Sequence, residues 1–73
     1  MKGWTHIYTS EDALKVDLLI AMLREHDITT SVIDKKDQAL VMIGNIEIYV
    51  PTQEAERAIS LIKNSDLIKN EEE

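Results

Sequence analysis

Five consecutive residues constrain this chain most: Ile46-Glu47-Ile48-Tyr49-Val50 alternate apolar with polar or amphipathic side chains, and Pro51 follows. Successive side chains of a strand point to opposite faces, so Ile46, Ile48 and Val50 share one face and Glu47 and Tyr49 the other. A strand buried on both faces would be apolar throughout. This one belongs to a sheet covered on a single side. Pro51 has no N–H for the ladder and closes the strand.

The rest of the chain supplies the cover. Trp4 to Thr9 is rich in aromatic and β-branched residues and reads as a strand. Thr9 and Asp12 have capping-box spacing, Ser10 is a good N-cap by itself, and Glu11 and Asp12 suit the positive end of a helix dipole. A helix over 11–26 follows, with Ala13, Val16, Leu19, Ile20 and Leu23 on its core face. Leu14, Leu18, Ala21 and Met22 form a second, opposite apolar arc, and Lys15, Asp17, Arg24 and Glu25 separate the two. His26-Asp27 ends the helix, and residues 28–34 read as a second strand. Lys35 to Gln38 is a polar turn. Ala39 to Ile43 reads either as a short strand paired through the Gly44-Asn45 hairpin signal or as an extended arm. Thr52 caps a second helix over 53–64 with a narrow stripe of Ala55, Ala58, Ile59 and Ile62; Leu67 and Ile68 add a further turn before a frayed acidic end.

The order β-α-β-β-α predicts an α+β domain of ferredoxin-like type, both helices on one face of the sheet. In this arrangement the first strand lies parallel to the strand at 46–50, with the second strand beyond it. The outer fourth strand of the full motif is missing, which leaves the first strand with a free edge. Residues 1–64 form the single domain and 65–73 a short acidic tail. With 73 residues and no cysteine, disulfides and thiolate zinc sites are excluded. Domains of this size stand close to the limit of independent stability, and self-association is the remaining common remedy.

Three passages carry a resemblance. They are Trp4-x-x-Ile7-Tyr8-Thr9 with the helix from Ala13 to Leu23, the helix exit into Ile28, and Ile48-Tyr49-Val50-Pro51 with Ala55 and Ala58 after it. In order and spacing, over about residues 4 to 63, the chain resembles the prokaryotic signal-transducing proteins, a small bacterial family of unknown function likened in fold to the nitrogen-regulatory PII proteins. The family usually has Gly before the Ile28 position, where this chain has Asp27. The resemblance implies a ferredoxin-like fold and brings no site residues with it, since fold does not give function.

The net charge of −6 comes from 8 basic and 14 acidic residues. From Ser65 onward, four acidic residues against Lys69 give −3, so the remaining body is acidic too and has no basic stripe. Nucleic-acid binding requires clustered Lys and Arg and is disfavoured. No run of about 20 apolar residues is present for a membrane span, and a cytoplasmic location is the expectation. No catalytic, cofactor or metal residue is assigned: His6 and His26 lie on separate elements without ligand spacing, and no nucleophile triad or glycine-rich phosphate loop exists. Lys35-Lys36 reads as a solvated turn.

The remaining candidates are surfaces. If Ile7 and Ile48 point to the helices, then Trp4, His6, Tyr8, Glu47 and Tyr49 share the bare face of the sheet. Such an aromatic cluster marks an interface; the plainer alternative is a solvent-facing cross-strand cluster. Base stacking in the manner of RNA-recognition sheets is opposed by the acidic charge. Leu14, Leu18 and Met22 are the secondary candidate, covered by Leu40 to Ile43, by Leu67-Ile68 or by another subunit. The functional expectation is a non-enzymatic regulatory or protein-interaction module, homodimeric through the bare face or the free strand edge. The alternative is a small-molecule sensor with its ligand at a subunit interface or beneath 35–45.

Overall fold

The computed structural model describes residues 2–34 and 46–69, with side chains over 2–34 and 46–67. The possible strand at 39–43, the Lys35-Lys36 turn and the Gly44-Asn45 hairpin signal lie outside the described residues. The elements run β1 (Trp4–Ser10), α1 (Ala13–Glu25), β2 (Ser31–Asp34), β3 (Ile46–Pro51), a 3₁₀ turn (Thr52–Glu54), α2 (Ala55–Lys63) and the single turn α3 (Asp66–Lys69). The three strands form one antiparallel sheet in the order β1-β3-β2. The expectation that β1 and β3 run parallel is overturned. β3 returns beside β2 in the opposite direction and enters the sheet between β2 and β1, so β1 and β2 run parallel to each other on either side of it.

Ile46, Ile48 and Val50 of β3 are buried, as their alternation predicts, while Glu47 and Tyr49 are only half-buried. The buried face meets Val16, Leu19 and Leu23 of α1 and Ala58 and Ile62 of α2 in a single core, so both helices cover the same side of the sheet. Each large apolar side chain fully buried there contributes about 1.5–3 kcal/mol. Ala13 is exposed and Ile20 packs at the margin. On α2 the expected stripe is corrected: Ile59 is 37% exposed, and Leu61 packs on the core in its place. Leu67 of α3 packs there too.

The helix ends differ from the expected caps. β1 runs on through Ser10, so α1 starts later and Asp12 is its N-cap, accepting from the N–H of Leu14 at 3.0 Å and of Lys15 at 3.2 Å. Ser10 supports the cap by accepting from the Asp12 N–H at 3.0 Å. Thr52 does not cap α2. Its N–H donates to the Gly3 carbonyl at 3.0 Å and its hydroxyl pairs with that of Thr5 at 2.9 Å, which ties the 3₁₀ turn to the start of β1.

At the other end of α1, the Ile28 N–H donates to the Leu23 carbonyl and the Asp27 N–H to the Arg24 carbonyl, both at 3.0 Å. Asp27 takes φ 63°. This is a Schellman ending, and its customary hydrophobic contact is made between buried Leu23 and Ile28. Residues 28–30 are spent on this exit, so β2 begins at Ser31 rather than at Ile28. Arg57 of α2 donates to the exposed His26 carbonyl at 2.8 Å and tethers α2 to that ending.

Candidate interaction surface on the open sheet face

The register decides which side chains share the uncovered face. Across β1 and β3 the partners are Trp4 with Pro51, Thr5 with Val50 and His6 with Tyr49, then Tyr8 with Ile48, Thr9 with Glu47 and Ser10 with Ile46. One residue, Ile7, is extra, and the register shifts there in a β-bulge. Cross-strand partners lie on the same face. Trp4 and His6, before the bulge, therefore join Tyr49 and Glu47 on the open side, whereas Tyr8, after it, joins buried Ile48 on the helix side. Tyr8 and Ile7 both pack against the core. The expected placement of Tyr8 on the bare face is thus wrong, because the bulge reverses the alternation between His6 and Tyr8.

Four of the five expected residues do come together. The His6 and Tyr49 rings meet edge to face, with centroids 5.5 Å apart, an arrangement that suits the aromatic quadrupole. Tyr49 lies directly across from His6, and the His6 Nε2 is hydrogen-bonded to Thr9 Oγ1. The Tyr49 hydroxyl donates to Glu47 Oε1 at 2.9 Å. That bond to a carboxylate, with some desolvation and the carboxylate's charge, raises the Tyr49 pKa above 10.0. Burial, followed by the charge of Asp12, raises Tyr8 likewise on the other side of the sheet.

β2 completes the face with residues that the sequence reading did not assign. Ser31 pairs with Tyr49 and Ile33 with Glu47, which gives the rows His6–Tyr49–Ser31 and Thr9–Glu47–Ile33. The alternation of Ser31-Val32-Ile33-Asp34 held that signal, but only the register says which half faces out. Val32, in register with Ile48, is on the helix side and still 42% exposed, because the helices pack over β1 and β3.

The secondary candidate divides. Leu14 is 67% and Leu18 45% exposed on the outside of α1, but Met22 packs against the core. At the α1–β2 junction, Arg24, Asp27, Ile28, Thr29 and Thr30 line a depression of about 360 Å³. Among the described residues no group of three or more His, Cys, Asp or Glu side chains is placed to hold a metal ion, and no helix is long and apolar enough to cross a membrane. Compared with known proteins, the chain matches no family model, no curated protein and no solved structure.

Proposed function

We propose that the chain is a non-enzymatic regulatory or interaction module that self-associates and acts through the open face of its sheet. The observation that carries the reading is that face itself: Trp4, the His6–Tyr49 pair and Ile33 stand on the side that no described element covers. Trp4 and Tyr49 are half-buried and His6 is exposed, and aromatic side chains left accessible on an uncovered sheet face commonly mark an interaction site. Self-association is supported by the length of the chain, since 73 residues is close to the lower limit for a domain that stands alone. Among the described strands β1 is at an edge of the sheet and carries its bulge there, and bulged edges discourage strand addition; this favours the face over the edge as the working surface.

The same proposal takes the fold as ferredoxin-like, supported by β1 and β2 flanking β3. It takes the chain as a cytoplasmic relative of the prokaryotic signal-transducing proteins, supported by the passages around Ile7, Ile28 and Ile48. Light scattering across rising concentration tests self-association, and a monomer up to about 1 mM would remove it. Trp4, the chain's single tryptophan, reports on the sheet face.

A second reading, a small-molecule sensor, is favoured by the depression beside the α1 ending, where Arg24 and two threonines offer polar contacts. A thermal-shift panel of nucleotides, amino acids and 2-oxo acids tests it, and a flat response counts against it.

A further inference from the structure

α1 has an outer stripe as well as a core face. Leu14, Leu18 and Ala21 stand at i, i+4 and i+7, all exposed, directly opposite buried Val16, Leu19 and Leu23. This is the spacing of a helix-pairing seam. Asp17 and Arg24, both exposed, lie two turns apart along one flank of the seam. In an antiparallel crossing such a flank meets itself. When two copies of α1 cross antiparallel about a two-fold axis, Leu18 packs beside Ala21 of the second copy. Asp17 of each copy then meets Arg24 of the other, giving two symmetric pairs of opposite charge. A parallel crossing turns this flank toward the opposite one, which carries Lys15 and Met22, and loses both Asp17–Arg24 pairs.

We infer that the outer stripe of α1, Leu14-Leu18-Ala21 flanked by Asp17 and Arg24, is the site where a second copy of this chain docks, antiparallel and isologous. The inference rests on the self-association proposed above and adds to it the surface used. The helix layer lies between this stripe and the open side of the sheet, so the dimer leaves the face of Trp4, His6 and Tyr49 uncovered by the second copy on both protomers. α1 has 13 residues and is about 20 Å long. The contact is smaller than a standard interface, and the expected dissociation constant is on the order of 100 µM.

Sedimentation equilibrium from about 10 µM to 1 mM, with Trp4 emission followed over the same range, is the test. The full chain is expected to dimerise with no shift in Trp4 emission. Asp17→Arg or Arg24→Asp alone sets like charges together and weakens the dimer by about fivefold. The two combined restore opposite charges across the axis and bring affinity back to within about twofold of the starting chain. Leu18→Glu abolishes the dimer, with circular dichroism confirming an intact fold. A dimer unaffected by either single charge reversal, or no recovery in the double variant, overturns the α1 assignment and leaves self-association standing. So does a blue shift of Trp4 on association, which would place the second copy on the sheet. A monomer throughout overturns both.

Discussion

At the residue scale the clearest feature is Asp27. It holds the left-handed position of the Schellman ending at φ 63°, where an L side chain is disfavoured and glycine is usual. Its N–H is already engaged with the Arg24 carbonyl, so the backbone conformation is required whatever the side chain. Asp27→Gly is therefore expected to stabilise the fold by about 0.5–1 kcal/mol, the relief of strain exceeding the extra entropy of glycine in the unfolded chain. A higher urea midpoint at unchanged slope would show it, and a lower midpoint would refute it. A second residue-scale consequence concerns pH. Tyr49 is held protonated above its usual 10.0 by its bond to Glu47, and Tyr8 by burial. Their raised values favour the folded state below pH 10, and that contribution is lost as the pH rises through the folded-state values. Stability is expected to decline with alkalinisation from about pH 10. In a phenolate titration, Glu47→Gln should bring Tyr49 down toward 10.0 without moving Tyr8; two unchanged titrations would refute the assignment.

At the element scale, the bulge at Ile7 sorts the aromatic residues. Tyr8, on the helix side against the core, is expected to cost about 2 kcal/mol when replaced by alanine. A solvent-facing tyrosine would cost within about 0.5 kcal/mol, so chemical denaturation of Tyr8→Ala distinguishes the two placements. The sequence made β3 legible because Ile46, Ile48 and Val50 alternate without interruption and the strand is central. It made α1 legible through Val16, Leu19 and Leu23. It did not show the bulge: Trp4 to Ser10 alternates no differently on paper, and the extra residue exists only relative to the register with β3. The same blindness hid Ser31 and Ile33 on the open face. Helix starts were misread at Ser10 and Thr52 because hydroxyl residues serve turns and strand ends as readily as caps. In this chain β1 claims Ser10, and Gly3 and Thr5 claim Thr52.

At the scale of the molecule, the described strands and helices share one core. Ile48 is fully buried at the centre of the middle strand, and Ile48→Ala is expected to cost about 2–5 kcal/mol, a large share of the stability of a small domain. Urea unfolding should show most of that loss as a lowered midpoint, and a change under about 1 kcal/mol would contradict the packing described. If the chain self-associates, its melting temperature also rises with protein concentration, since association draws on the folded state alone.

The middle position of β3 has a consequence for how the chain is made. Among the described strands β1 and β2 are not ladder partners of each other; each pairs with β3, which comes later in the sequence. During synthesis the ladder bonds of β1 and β2 with β3 therefore become available only once β3 has left the ribosome. α1 and its Schellman ending can form locally, but the sheet waits for Ile46 to Pro51 and then closes on both sides at once. A nascent chain halted before Ile46 would leave Leu19, Leu23 and Ile28 without β3 to receive them. That is the stage at which this small domain is most open to premature association or proteolysis.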